Sequence, residues 1–274
     1  MTQTPIKMIY LGHTGMGKTG SLCSLAAAGY RLKIMDLEAK AGIVRNMLTD
    51  ERSPYFKQNP KAIDNVSIAT LTEALELASM EASKKAATVW PRAKSVPFKW
   101  VDDVGKDHGS IRQWTTQDVW VIDSLKRLGD ACQDFFVQMN SRLHLPAHDP
   151  KSAPQAFEWG IVQNMLGSYI EAATLAAIPC NVIFISHIEW IGDEKTGLKQ
   201  GVPSAVGKKL APLIPRYFNN MLLAETKASR RIISTNVSST GIALKNENPY
   251  AVANEYPLET GLADYFKAIQ GPLA

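Results

Sequence analysis

Eight consecutive residues, Gly12-His13-Thr14-Gly15-Met16-Gly17-Lys18-Thr19, follow the spacing G-x-x-x-x-G-K-[ST]. In such a loop, successive backbone N–H groups point at anionic oxygens, and the following helix adds its positive end. Here Lys18 would reach the β- and γ-phosphates of a nucleotide, and the Thr19 hydroxyl would take a position on Mg²⁺. With Gly20, which extends the segment, these residues predict ATP and Mg²⁺ as cofactors. Three more groups carry chemistry. Asp123 closes Val119-Trp120-Val121-Ile122-Asp123 and can serve the metal directly or through water; an ordinary helix cap is the competing role. Asp36 and Glu38 fall on one side of an extended segment. Glu38 is the candidate for activating water, and Asp36 for the metal's water shell, unless both cap the helix that follows. Ser186 or His187, after Val182-Ile183-Phe184-Ile185, can report the γ-phosphate to a neighbouring loop; a structural histidine is the alternative.

Other residues say less. Lys208, Lys209 and Arg216 can neutralise transferred phosphoryl charge, in their own site or across a subunit interface, or simply form a solvated basic face. His144 and His148 lack a third metal ligand nearby. Asp102-Asp103-Val104-Gly105 contains D-x-x-G, but no N-K-x-D accompanies it to read guanine, so GTP is discounted.

The elements that must position these groups alternate. Ile6 to Leu11 reads as a strand, Ser21 to Ala28 as a helix, Leu32 to Asp36 as a strand. Val66 to Ala69 is a third strand, with a helix over 71–87. Residues 88–118, with Trp90, Pro91, Pro97, Phe98 and Trp100, predict an irregular excursion. A strand ends at Asp123, a helix follows over 125–139, and 140–153 reads as loop. A long helix over 157–177 precedes a strand at Asn181 to Ser186. The segment through Gly192, Gly197 and Gly201 reads as a mobile polar loop, and Met221 to Ala224 and Arg231 to Thr235 as late strands. This alternation predicts one α/β domain over 1–274 with a mostly parallel central sheet flanked by helices. Ligands then bind beyond the carboxyl ends of the strands, where the acids lie.

Composition is compatible. Of 274 residues, 45% are hydrophobic, enough for a sizeable core. No apolar run is long enough to span a bilayer, and the N-terminus has no signal-like apolar core. Cys23, Cys132 and Cys180 are far apart in apolar stretches, so buried thiols in a reducing compartment are expected. A net charge of +4 permits nucleic acid as a partner without requiring it.

On Gly12 to Thr19, Ile34-Met35-Asp36-Leu37-Glu38, Val119 to Ser124 and Val182 to His187, the chain resembles the RecA/Rad51-like branch of P-loop ATPases. More narrowly, it resembles the small phage-encoded nucleotide-binding proteins of that branch, some of which act as single-strand-annealing recombinases. The resemblance implies that Glu38 activates water, Asp123 serves the metal and His187 couples the γ-phosphate to a DNA-binding loop. Ser186-His187 departs from the Asn-Gln usual in RecA. It also implies a homo-oligomeric ring or filament, an ATPase core without added DNA-binding domains, and host cytoplasm as the location. Two loops should face single-stranded DNA: 140–155 with Arg142 and Lys151, and 188–204 with Trp190, Lys195 and Lys199. The competing functions are a phage assembly or DNA-packaging ATPase with a protein partner, a non-catalytic nucleotide-dependent scaffold, and a small-molecule kinase.

Overall fold

The computed structural model describes residues 3–72, 88–140, 158–192, 199–207, 209–236 and 241–273. Its centre is an eight-stranded sheet. The strands are β1 (Lys7–Gly12), β2 (Arg31–Asp36), β3 (Val66–Thr70), β4 (Asp118–Asp123), β5 (Asn181–Ser186), β8 (Asn220–Lys227), β9 (Arg230–Ser234) and β10 (Glu255–Pro257). Their order is β10-β9-β8-β1-β5-β4-β2-β3. The six strands from β8 to β3 run parallel, and β9 and β10 add an antiparallel edge. The mostly parallel sheet expected from the sequence is therefore observed. A separate hairpin, β6 (Ile188–Gly192) with β7 (Lys199–Pro203), stands off its carboxyl end.

Period 2 divides the central strands between two cores. Met8, Tyr10, Val119, Val121, Ile183, Ile185 and Leu222 face one side. The short helices Lys18–Ser21, Cys23–Ala27, Gly42–Thr49 and Pro54–Gln58 cover it, with Gly261–Gln270. Ile9, Leu11, Trp120, Ile122, Val182, Phe184 and Leu223 face the other. Helices Val89–Ser95, Leu125–Met139 and Trp159–Thr174 cover that side. Both faces being buried explains why the strands are apolar throughout rather than alternating.

The excursion has a purpose in the fold. It contains the helix Val89–Ser95 and a 3₁₀ turn, Ile111–Gln113, so it is less irregular than expected. It also covers the edge of β3, which would otherwise expose unpaired backbone. Asp103 N–H donates to Ile68 O at 2.8 Å, Thr70 N–H donates to Asp103 Oδ1 at 2.7 Å, and Trp100 Nε1 donates to Ser67 Oγ at 2.7 Å. Asp102 accepts from Val104 N and Lys106 N and lies 2.8 Å from His108 Nε2. The D-x-x-G sequence is thus an edge-capping turn.

Other expectations need correction. The first helix is broken at Leu22 into two pieces. The segment read as one polar loop contains the two hairpin strands β6 and β7; Ile188 pairs with Pro203 and Trp190 with Gly201. The helix expected to follow Glu38 is Gly42–Thr49, while helices 54–58 and 261–270 and strand β10 were not anticipated. The helix expected over 71–87 and the loop 140–153 lie almost wholly outside the described residues. The three cysteines are free and buried, as expected. Among the described residues, no helix is long and apolar enough to cross a membrane.

Candidate functional site

The loop after β1 is built around its glycines. Gly15 and Gly17 have φ of 82° and 83°, which L side chains rarely adopt. A Cβ on Gly17 would also meet Leu258 Cδ2 at 2.8 Å, so the loop lies directly on the segment after β10. The Ser21 N–H bonds to Gly17 O at 2.9 Å and starts the helix. Lys18 is buried and donates to Gly12 O at 2.7 Å and His13 O at 2.9 Å. Burial lowers its pKa to about 8, against the opposing pull of Asp123 and Glu38.

Thr19 Oγ1 donates to Asp123 Oδ2 at 2.6 Å. Strand β4 therefore delivers its terminal acid to the hydroxyl of the phosphate loop, two strands away across β5. Asp123 is 4% exposed. Burial pushes its pKa up to about 6; the Thr19 bond and Lys18 oppose this, while Glu38 and Asp36 reinforce it.

Leu37 N–H bonds to Asp123 O at 2.7 Å and carries the chain past β2 toward the same place. Asp36 is spent on this turn. It accepts from Glu38 N at 3.2 Å, Lys40 N at 3.1 Å and Ala41 N at 2.8 Å, and it is buried. Its three bonds hold Ala39 at φ 56°, a strained value for a residue with a Cβ. The turn aims Glu38 inward. Glu38 Oε1 accepts from Ser124 Oγ at 2.5 Å and lies 3.6 Å from His187 Nε2. Lys40 Nζ pairs with Oε2 at 2.8 Å. His187 first, then Lys40 and Ser124, hold the carboxyl well below the usual carboxylate range despite partial burial. His187 Nδ1 is buried with no hydrogen-bond partner among the described residues. Its carbonyl accepts from Ser204 N at 2.8 Å, at the exit of β7. Ser186 Oγ is turned onto the His187 and Ser204 carbonyls.

Lys18, Thr19, Glu38, Lys40, Asp123 and His187 line one cleft of about 610 Å³ at the carboxyl ends of the strands, with Asp36, Ser124 and Ser186 outside its lining. Thr14, Gly15 and Gly17 to Ser21 form one wall, and Glu38, Asp123 and His187 form the back. Sequence reasoning missed the remaining wall: Ile43, Met47 and Tyr55 on one side, Arg231, Leu258 and Glu259 on the other. A signal was present in the helix 42–49, where Val44 and Leu48 are buried and Ile43 and Met47 face the cleft. Nothing in the local sequence of Arg231 marks it. Of the other candidates, Arg216 is exposed, stacks on Tyr217 at 4.7 Å and lies outside the cleft lining. Lys209 is exposed as well, as are Lys199, at the start of β7, and Trp190, at 41%. Arg142, Lys151, Lys195 and Lys208 lie outside the described residues, with His144 and His148.

The donor set suits a hard cation shared with phosphate. Among the described residues there is no group of three or more His, Cys, Asp or Glu able to hold a metal alone. Mg²⁺ is ordinarily held by one or two protein oxygens together with substrate phosphates, and Thr19 and Asp123 offer that number.

No protein-family model matches the chain, and no curated protein does. Solved structures do. The RadB recombinase is similar over 95% of this chain and 90% of its own, with 12% identity and a TM-score of 0.44. The flagellar accessory protein FlaH from Methanocaldococcus jannaschii aligns over 95% and 89%, with 12% identity and a TM-score of 0.41. The ATP synthase subunit NeqB from Nanoarcheaum equitans aligns over 90% of this chain and 51% of its own, with 11% identity and a TM-score of 0.41.

Proposed function

We propose that the protein is a Mg²⁺-dependent ATPase of RecA-like type that assembles on single-stranded DNA and promotes annealing or recombination. The observation that carries the ATPase reading is the convergence of Lys18, the Thr19–Asp123 pair and the Glu38–Ser124–His187 group in one cleft. Lys18 donates to two loop carbonyls, and phosphate oxygens are better acceptors for its charge. Bound Mg²⁺ would supply charge neutralisation between the phosphates. Thr19 and Asp123 would hold it, Thr19 turning its lone pair outward while Asp123 stays ionised. Asp36 acts as the organiser of the Glu38 turn rather than in the metal's water shell, since both its oxygens are engaged.

Glu38 is too acidic to keep a proton. It works as an anion that orients water in line with the γ-phosphate. Lys40 covers one of its oxygens, and nucleotide phosphates compete for that ammonium. His187 links the cleft to the hairpin: its ring faces Glu38, its carbonyl is tied to Ser204, and β6 begins at the next residue. Exposed Trp190 on that hairpin offers a stacking surface, and Lys199 a phosphate contact. The test is steady-state ATP turnover with and without single-stranded DNA, alongside sedimentation. DNA-stimulated turnover with a DNA-dependent increase in size is expected. Turnover that responds only to a protein partner would replace the recombination reading with an assembly or packaging ATPase.

A further inference from the structure

On the opposite face of the sheet from the phosphate loop lies a second cavity, of about 700 Å³. It runs between the excursion and the helix Trp159–Thr174. Its deep wall includes Trp90 and Trp120, exposed by only 2% and 1%. Both indole Nε1 groups are buried without a hydrogen-bond partner among the described residues. Buried donors of this kind normally find an acceptor. Tyr169 stands between the two rings, at 5.5 and 6.3 Å, but its hydroxyl is already given to Ala93 O. The apolar lining continues outward onto Phe98, Leu175 and Ile161, which are 65%, 51% and 48% exposed. Lys94 and Arg112 bring positive charge to the same lining. An apolar surface that extends past the mouth of its cavity fits a protein segment better than a small molecule.

The same chain carries a matching projection. Asn248-Pro249-Tyr250-Ala251 is a β-turn closed by the Ala251 N–H to Asn248 O bond at 3.1 Å, with proline at its second position. Buried Val252 anchors it, and the Ala253 N–H bonds to the Tyr256 hydroxyl. Tyr250, at the tip, is 99% exposed, the highest value of any large hydrophobic side chain described. Glu247 flanks it with the charge opposite to Lys94 and Arg112, its carboxyl half-buried against Asn219 and Asn220. The turn leads into β10, at one end of the sheet order, whereas the cavity lies under β4 and the excursion that caps β3, near the other end. Five strand spacings separate β10 from β4, about 24 Å. The projection therefore cannot fill its own cavity but can fill a neighbour's.

We infer that Tyr250 of one copy docks into the Trp90–Trp120 cavity of the next. Its ring would fill the apolar space in front of the two buried indoles. Such a contact is heterologous, head to tail, and propagates into a ring or filament. It rests on the assembly element of the function proposed above. Sedimentation of the full chain with Mg²⁺, a non-hydrolysable ATP analogue and single-stranded DNA tests it. Tyr250→Ala and Ile161→Glu alter exposed positions, so both variants should keep the wild-type melting temperature. Each should weaken self-association about thirty-fold, the scale of losing a central aromatic anchor. Tyr250→Phe keeps the ring and should cost only a few-fold. Tyr250→Ala retains an intact cavity and Ile161→Glu an intact tyrosine, so mixing the two should give a discrete one-to-one dimer that grows no further. Wild-type assembly matched by both single variants, or a mixture that yields no dimer, overturns this contact and leaves the proposed function standing. A wild type that stays monomeric under all these conditions overturns both.

Discussion

The two faces of the sheet carry two cavities of similar size that differ in the charged groups they hold. The cleft beside the phosphate loop gathers Lys18, Glu38, Lys40, Asp123, His187 and Arg231. Lys18, Glu38 and Asp123 each have a named partner, and the strain at Ala39 is held by three bonds to Asp36. The groove on the other face is apolar and rimmed by exposed Phe98, Leu175 and Ile161. A pre-organised charged cleft is what electrostatic catalysis requires, because its dipoles are aimed before the reaction begins. A groove with exposed apolar edges gains by being covered. On the reading proposed above, phosphate chemistry belongs to one face and contact with a second copy to the other.

Variants can break or sharpen that contrast. The largest effect is expected from Lys18→Ala, which should abolish tight Mg²⁺–ATP binding while leaving the melting temperature near that of the wild type. Lys18 points into the cleft and its burial disfavours its own charge. Calorimetric titration with a non-hydrolysable analogue checks this, and unchanged affinity would remove the nucleotide from the cleft. Next is Glu38→Gln, which should retain nucleotide binding and lose about 10²-fold or more in turnover, the scale for removing a general base or water-orienting group. Near-normal turnover would transfer that role elsewhere.

Asp123→Asn should move two observables in opposite directions. A carboxyl raised to about 6 on folding holds its proton longer than in the unfolded chain. Its contribution to stability is therefore full below the ordinary 3.8, is lost as pH rises from there to about 6, and stays lost above that. The asparagine removes that loss, so thermal unfolding at pH 7–8 should show a gain on the order of 1–2 kcal/mol. Mg²⁺-dependent nucleotide binding should weaken by about 10- to 100-fold. Loss of stability instead would mean that the Thr19 bond, not the charge, dominates the site. The smallest effect concerns protons. Lys18 loses its charge near pH 8 in the free protein, and bound phosphate would restore it. Nucleotide binding at pH 8–9 should therefore take up protons, seen as a binding enthalpy that varies with the buffer's ionisation enthalpy. A binding enthalpy that is the same in every buffer at pH 8–9 would contradict this.

Much of the charged cleft was legible in contiguous sequence and much of the groove was not. Gly12 to Thr19, Asp123 and Glu38 sit at strand ends that spacing and periodicity locate, and the strand order brings them together. Asp36 was read with the wrong emphasis, because sequence shows an acid at a strand end but not the three backbone donors waiting for it. The hairpin of β6 and β7 was hidden because glycine and charge in 192–201 look like loop whether or not the flanks pair. Arg231, Leu258 and Tyr55 reach the cleft only through strand order and helix docking, which no local pattern encodes. Trp90, Trp120 and Tyr169 meet for the same reason: they come from three separate elements, joined only by tertiary packing.

The claim that the two cavities divide the labour can be tested by asking where the nucleotide goes. Photoaffinity labelling with an azido-adenine analogue of ATP, in the presence of Mg²⁺, followed by peptide mapping, reads this directly. Label on the peptides containing Ile43, Met47 and Tyr55, or Leu258 and Glu259, abolished by excess ATP and by Lys18→Ala, is the result predicted. Label concentrated on the peptides that line the apolar groove, Trp90 to Arg112 or Ile161 to Leu175, would contradict it.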